Sequence, residues 1–171
     1  MNQDKYIING LKLPSLLIEL IENDGWKAPS NKLGIKEVLE LPVQLKGRFD
    51  KFEDYSDFET YDLGLIKSES LAVKKWPNAD WLEDSGVMFM GANDEVVKPG
   101  IIDVEKAILI ADLGHGSDSP FTLDYREDIN NPSVMIIRWG EDATKDNRWM
   151  KVADDFDSFI KKIGIKVPNK T

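Results

Sequence analysis

Residues 108–126 read ILIADLGHGSDSPFTLDYR, and this stretch is the part of the chain most informative about its fold. An apolar run, a polar loop rich in glycine and an alternating run follow one another directly, which is typical of two strands joined by a tight loop. Gly114 and Gly116 allow the positive φ that a sharp reversal requires. Ser117 and Asp118 have side chains that hydrogen-bond to the backbone of turns. The stretch therefore predicts a β-hairpin.

The same loop contains the only histidine of the chain, His115, with serines and aspartates nearby in sequence. A Ser-His-Asp triad is disfavoured because triad partners usually come from separate elements, and no G-x-S-x-G motif is present. Phosphate binding is disfavoured because the loop lacks a lysine and the G-x-x-x-x-G-K-[ST] pattern, and because a strand rather than a helix follows it. We therefore expect no catalytic residue and no enzymatic activity.

The carboxylates Asp112, Asp118 and Asp124, taken together with His115, show no metal-ligand spacing, so we expect no bound metal and no cofactor. Asp118 is better explained as a turn residue. Asp124 is better explained as a residue at a sheet edge, and Arg126 as an ion-pair partner for these aspartates. The loop is thus interpreted as a structural signature made of Gly114, Gly116, Ser117, Asp118 and Asp124.

The chain has 171 residues, of which 42% are hydrophobic, and this size suits a single domain spanning residues 1–171. Cysteine is absent, which excludes disulfides, thiolate metal sites and a cysteine nucleophile. No window approaches the roughly 18 consecutive apolar residues of a membrane span, and the first ten residues do not resemble a signal peptide. We therefore expect a cytoplasmic protein without membrane contact, either a monomer or a weak homodimer.

Acidic residues outnumber basic residues by 31 to 22, which gives a formal net charge of −9. Such a charge repels nucleic acids and anionic membranes, so neither is expected as a partner, and a cationic partner is easier to accommodate. Acidity also serves the solubility of many cytoplasmic proteins. The charge therefore supports a protein partner without establishing one.

Hydrophobic periodicity predicts a helix over residues 13–21, with Pro14 in its first turn, and a second short helix over residues 34–41. Residues 67–76 predict a further helix. A terminal helix is predicted from the spacing of Phe156, Phe159, Ile160 and Ile163, with Asp154 or Asp155 as its cap and Gly164 at its end.

The predicted strands cover residues 107–111, 121–126, 134–139 and 149–152, and turn signals separate them at distances typical of hairpins. A further strand is predicted at residues 87–90, and a strand or extended piece at 95–97. Helices, then strands in an antiparallel meander, then a helix form an α+β arrangement, in which helices cover one face of the sheet.

Residues 49–62 read FDKFEDYSDFETYD and place an aromatic residue at every third position, with acids between them. A period of three drifts by about 60° per step on a helix, so these aromatics cannot share one face. The segment either contacts a basic protein surface or combines buried aromatics with solvated acids, and both readings remain open. Under the first reading, the partner-binding residues are Asp50, Glu53, Asp54, Tyr55, Asp57, Glu59 and Tyr61, together with Trp81.

Four stretches carry a family resemblance: LPSLLIELIENDGW, the stretch quoted first, NPSVMIIRW, and RWMKVADDFDSFIKKIGI. Together they resemble the SUKH superfamily, the SMI/KNR-type domains related to a yeast cell-wall assembly regulator. The likeness covers the first helix and most of residues 100–165, whereas residues 43–98 match weakly. It implies a single α+β domain with a curved sheet, and in bacteria frequent service as an immunity protein that neutralises a toxin.

We therefore expect a protein-binding domain, most simply an immunity protein that covers the basic active surface of a toxin such as a nuclease. A first alternative is a regulatory scaffold in cell-wall or glucan synthesis, which the eukaryotic relatives exemplify. A remote alternative is a carboxylate-dependent hydrolase, which would show paired acids of perturbed pKa in a deep pocket.

Overall fold

A computed structural model describes residues 3–49, 58–79, 85–113 and 119–167, and within these ranges it contains four α-helices and eight strands. The helices are α1 (Ser15–Glu22), α2 (Leu33–Leu39), α3 (Leu63–Ala72) and α4 (Phe156–Ile163). The strands are β1 (Ile7–Ile8), β2 (Leu11–Lys12), β3 (Phe58–Thr60), β4 (Pro99–Gly100), β5 (Ala107–Leu113), β6 (Pro120–Asp124), β7 (Ser133–Arg138) and β8 (Arg148–Ala153). Short 3-10 helices occupy Gln3–Tyr6, Val43–Leu45, Val73–Asn78 and Ser85–Met90.

Six strands form one sheet in the order β3-β5-β6-β7-β8-β4, and each neighbouring pair is antiparallel. The remaining two strands, β1 and β2, form a separate hairpin. The predicted α+β class and the antiparallel meander from β5 to β8 are therefore confirmed. Register shifts interrupt the β5–β6 and β7–β8 ladders, and bulges of this kind bend and twist strands as a curved sheet requires.

The sheet is covered on both faces. Every residue of β5, β6 and β7 is buried. On one face Phe121 contacts Phe159 of α4, with ring centroids 5.3 Å apart. Trp149 points to the opposite face, because its neighbour Met150 shares a register row with Phe121; its Nε1 donates to the carbonyl of Phe89 at 2.6 Å. Helix α4 thus packs on one face. The 3-10 helix Ser85–Met90 lies against the other, where Phe89 stacks on Trp76 of the 3-10 helix that follows α3.

The first and last helices form where the spacing of apolar residues predicts them. α1 begins directly after Pro14 and buries Leu17 and Leu20. α4 begins after Asp155, whose side chain accepts a hydrogen bond from the backbone N–H of Ser158 at 2.6 Å. It ends at Gly164, which takes a left-handed φ of 77°. The apolar face therefore agrees with the prediction for both helices, and the predicted caps are present in α4.

The middle of the chain departs from the prediction in two places. Residues 87–90 form part of a 3-10 helix rather than a strand, because Phe89 packs on the sheet, between Trp76 and Trp139 at centroid distances of 5.0 and 5.1 Å. Residues 95–97 form bends, since the side chain of Asp94 accepts the N–H groups of Val96 and Val97 that a neighbouring strand would otherwise bind.

Helix α3 begins four residues earlier than predicted. Asp62 caps it by accepting a hydrogen bond from the backbone N–H of Leu65 at 2.8 Å. The helix also ends earlier, at Ala72, and the chain continues as the 3-10 helix Val73–Asn78. The sequence did not predict this start because Asp62 follows several other acidic residues and cannot be recognised among them as a helix cap.

We predict that Gly34→Ala destabilises the fold through the contact between α2 and α4. A Cβ at residue 34 would lie 2.2 Å from the carbonyl oxygen of Lys162, so the two helices would have to separate. We expect the free energy of unfolding to fall by about 1–3 kcal/mol in urea titrations. Gly64→Ala in α3, where the nearest atom is 3.2 Å away, is the matched control and should change stability little or raise it. Equal stability of the two variants would contradict the prediction.

Candidate functional site

One end of the six-stranded sheet brings together the loops that the sequence singled out. There β3, β6 and β8 begin and β5 and β7 end, as the pairs Phe58 with Leu113, Asp112 with Pro120, and Arg138 with Arg148 demonstrate. We call this end of the sheet the hairpin end and define it by Phe58, Leu113, Pro120, Arg138 and Arg148.

Three segments outside the described residues are flanked by residues at or beside the hairpin end. Residues 50–57 follow Phe49, which bridges Gly140 in the β7–β8 connection, and precede Phe58. Residues 114–118 lie between β5 and Ser119. Residues 80–84 precede the 3-10 helix Ser85–Met90, where the carbonyl of Met88 accepts a hydrogen bond from Asn147 Nδ2 at 3.0 Å.

Most of the predicted site residues fall in these segments, so their positions lie outside the described residues. They are the partner-binding residues Asp50, Glu53, Asp54, Tyr55, Asp57 and Trp81, the loop residues Gly114, Gly116, Ser117 and Asp118, and also His115.

The charge of the chain is concentrated in the same three segments. By sequence they contain eight acidic residues and one lysine, and therefore carry seven of the nine net negative charges. The remaining residues, which include all of the described structure, are close to neutral. The topology thus brings the residues that flank segments 50–57 and 114–118 to one end of the sheet, and the helix that follows segment 80–84 contacts Asn147 beside it.

Glu59 and Tyr61, the two predicted partner-binding residues that the structure describes, differ in exposure. Glu59 is exposed on the edge strand β3. Tyr61 is only 3% exposed, and its hydroxyl donates to Asp112 Oδ2 at 2.9 Å, so the expectation that it anchors a partner is wrong. Phe49 and Phe58 are buried as well. These described aromatics therefore fit the second alternative for the segment, in which the aromatic side chains are buried and the acids are solvated.

Asp112 closes the β5–β6 hairpin. Its carboxylate accepts hydrogen bonds from Tyr61 and from the backbone N–H of Ser119, the latter at 3.3 Å. The backbone N–H of Leu113 in turn donates to the carbonyl of Ser119 at 3.1 Å. The hairpin predicted from residues 108–126 is therefore confirmed by its two strands. Asp112, considered above as a metal ligand, thus accepts hydrogen bonds from Tyr61 and Ser119 where the two strands meet.

Asp124 lies at the other end of the sheet. Both of its carboxylate oxygens accept hydrogen bonds from Arg126 at 2.8 Å, which confirms the predicted ion pair. Asp124 is buried at the end of β6, which is a central strand, so its prediction as a residue of a sheet edge is wrong. Arg126 also donates to the carbonyl of Ile101 at 2.9 Å and thereby ties this end of the sheet to the segment before β5.

The connection between β7 and β8 is an ordered acidic turn at the hairpin end. Asp142 accepts hydrogen bonds from the hydroxyl of Thr144 at 2.5 Å and from its N–H at 3.0 Å, and these lower the pKa of Asp142 to about 2. Asn147 is buried; it accepts from the N–H of Gly140 at 3.2 Å and donates to the carbonyl of Ala143. Side-chain hydrogen bonds thus hold the turn, and the exposed Glu141 projects from it.

Asp94 joins several parts of the chain through its side chain, and the sequence analysis did not predict this role. Its side chain, 7% exposed, forms ion pairs with Arg48 and Arg148 and accepts the N–H groups of Val96 and Val97 at 2.9 Å. The Arg48 guanidinium, the two backbone N–H groups and Arg148 hold the pKa of the Asp94 carboxyl well below its usual range, against the opposing effect of burial. Asp94 therefore joins three distant parts of the chain beside the hairpin end.

A groove among the described residues runs between α2 and β8 and has a volume of about 550 Å³. Its walls combine apolar residues with charged residues of both signs: Glu37, Val38, Glu40, Lys98, Met150, Lys151 and Lys162. In the described ranges, no group of three or more His, Asp or Glu residues has the geometry to hold a metal ion.

None of the described helices has the length and apolar character required to cross a membrane. Comparisons of the chain with protein-family models, with curated proteins and with solved structures gave no match. The function of the chain is therefore inferred from its fold and from the charged residues at and beside the hairpin end.

We predict that Asp94→Asn destabilises the protein in a pH-dependent way. Loss of the charge leaves Arg48 and Arg148 without their carboxylate, and we expect the free energy of unfolding at pH 7 to fall by about 2 kcal/mol or more. Because the folded-state pKa is depressed, the difference between wild type and variant is full above about pH 4, the ordinary pKa of aspartate, and shrinks as the pH falls below it.

The measurement is urea unfolding of both proteins between pH 7 and pH 3. Asp154→Asn, which alters a carboxylate that is 93% exposed, is the control and should shift stability by less than about 0.5 kcal/mol. A difference between wild type and Asp94→Asn that does not change with pH would contradict the proposed role of the charge.

Proposed function

We propose that this chain is a non-catalytic, SUKH-type protein-binding domain that acts in the cytoplasm as an immunity protein. In this proposal the hairpin end binds a basic toxin and covers its active surface. The observation that carries the proposal concerns the acidic segments, which contain seven of the nine net negative charges. Two of the three are flanked by residues at or beside the hairpin end, and the third precedes the 3-10 helix whose Met88 contacts Asn147 there.

The physical basis is electrostatic complementarity. A nuclease must hold phosphates, so its active surface is basic, and an acidic surface of similar extent attracts it over distances of about 10 Å at moderate salt. Attraction of this kind raises the association rate and selects the docking orientation. A toxin held in this way is denied its substrate, and no reaction on the part of the binding domain is required.

The described residues around the hairpin end support the same sign of charge. Glu59 and Glu141 are exposed there. The nearby Arg48 and Arg148 share the carboxylate of Asp94, so these three groups carry one net positive charge, which the two glutamates exceed. Side-chain hydrogen bonds hold Ser119 beside β5 and hold the β7–β8 connection, so described residues at this end form an ordered scaffold of the kind on which binding loops are common.

The anchoring residues of the proposal are fewer than the sequence suggested. Tyr61 is committed to the core through Asp112, which leaves Tyr55 and Trp81 as the aromatic residues proposed to contact the partner. Aromatic side chains surrounded by steering charges are typical of the energetically important residues in protein interfaces.

The first experiment identifies the partner. The basic protein domain encoded beside this gene is purified in a catalytically disabled form, and its binding to this chain and the survival of cells that produce the active toxin with and without this chain are measured. The proposal requires both a stable complex and protection. A gene surrounded by cell-wall functions, with no binding to a neighbouring toxin, would contradict immunity and favour the regulatory scaffold.

The second experiment tests the surface. Asp54→Lys combined with Glu59→Lys changes the net charge by four, and we expect it to slow association with the toxin domain at least tenfold at low salt and to reduce protection. Glu105→Lys combined with Asp154→Lys makes the same change in net charge away from the hairpin end, and it should alter the rate less than threefold. Equal effects of the two pairs would show that net charge, not this surface, governs binding.

A further inference from the structure

Helix α3 has a well-defined buried side. Ile66, Ser70 and Val73 are fully buried, and the hydroxyl oxygen of Ser70 accepts a hydrogen bond from the backbone N–H of Leu109 at 3.0 Å. At about 100° per residue, the direction opposite to these three side chains is that of Ser68. Ser68 therefore marks the centre of the outward face of α3.

The outward face is apolar where a surface helix is normally polar. Leu65 and Leu71 are 40% and 59% exposed, and they lie on either side of Ser68, one turn before and one turn after it. Ala72 is exposed beside Leu71, and the central side chain is small. A helix with apolar residues on two opposite sides usually packs against other residues on both of those sides. The sheet covers only the inner side of α3.

Two charges of opposite sign border this face. Lys67 and Glu69 lie next to Ser68 in sequence and therefore about 100° to either side of it on the helix. Lys67 is exposed and Glu69 is half-buried. Within the part of the chain that the structure describes, neither side chain forms an ion pair or a hydrogen bond. Leucines and charges are thus both arranged symmetrically about Ser68, with the charges opposite in sign.

We propose that the outward face of α3 binds the same face of a second copy of this chain, in a parallel two-fold contact centred on Ser68. A two-fold axis parallel to the helices places Lys67 of one copy on the same side as Glu69 of the other, and does so twice. An antiparallel arrangement would instead bring each charge next to its own counterpart. The symmetric placement of opposite charges is therefore what selects a second copy as the occupant.

The dimer is expected to be weak. A contact made by one ten-residue helix lies at or below the lower limit of stable interfaces, about 1,200 Å² of total buried area. Lys75, one turn beyond Ala72, also approaches its counterpart in the parallel arrangement. Replacing it, as in Lys75→Ala, should strengthen the dimer. This inference goes beyond the proposed toxin binding, which uses the hairpin end and does not require a dimer.

The first test uses the absence of cysteine from the chain. Ser68→Cys places a single thiol on the proposed axis, so mild oxidation should convert most of the protein to a disulfide-linked dimer within minutes at about 100 μM. Ser15→Cys, an exposed serine at the start of α1, is the matched control and should remain largely monomeric. Ala72→Cys should also form the disulfide, because in a parallel contact each residue faces its own counterpart. Crosslinking of Ser68→Cys no faster than Ser15→Cys would overturn the proposal.

The second test exchanges the charges. Lys67→Glu and Glu69→Lys each create like-charge contacts in the parallel dimer, so each variant alone should be monomeric by sedimentation velocity at concentrations where the wild type dimerises. Mixed together, the two variants restore both ion pairs and should form a heterodimer, which native mass spectrometry distinguishes by mass when one variant is uniformly labelled with ¹⁵N. Circular dichroism verifies that both variants are folded.

Three results would overturn the proposal. A mixture that stays monomeric while the wild type dimerises would exclude this face, and a wild type that stays monomeric at millimolar concentration would exclude a second copy as its occupant. Single variants that dimerise as well as the wild type would exclude the parallel orientation. Toxin binding is measured separately and does not depend on any of these outcomes.

Discussion

Burial of the central strands on both faces is the constraint on which the rest of the structure depends. Every residue of β5, β6 and β7 is inaccessible, so both flat surfaces of the sheet are used for packing. Phe121 and Phe159 join the sheet to α4 on one side, while Trp149 and Phe89 join it to a 3-10 helix on the other. Because neither face is open, the molecule presents the ends of its strands and the outer sides of its helices to partners.

At the strand ends, buried polar side chains form hydrogen bonds and ion pairs with neighbouring backbone and side-chain donors, which apolar side chains cannot form. Asp112 holds the β5–β6 connection, Asn147 holds the β7–β8 connection, and Asp94 joins Arg48 to Arg148. Each of these groups satisfies backbone or guanidinium donors that would otherwise be left without partners. These contacts are made by described residues outside the acidic segments, so the sequences of those segments can change without a change in the core.

Particular elements explain what the sequence could predict. The strand at residues 107–113 and the helix at Phe156–Ile163 were predictable because a buried strand requires a continuous apolar run and a capped amphipathic helix requires a 3.6-residue period. Residues 87–90 show an equally apolar run but form a 3-10 helix, because Phe89 is held between two tryptophans. Local pattern cannot distinguish a residue within a sheet from one packed on it. The role of Asp94 was missed for a similar reason, since its two arginine partners are 46 and 54 residues away.

The sequence by itself determined the fold class, the order of the C-terminal strands, the caps of the last helix and the excess of acid, because these depend on residue type and local period. Only the tertiary structure decided that the described aromatics Phe49, Phe58 and Tyr61 are buried, since the burial of Tyr61 depends on a hydrogen bond to Asp112 from a strand about fifty residues away. It also decided that residues 49, 58, 113 and 119, which are far apart in sequence, lie near one end of the sheet, because strand pairing sets which connections become neighbours.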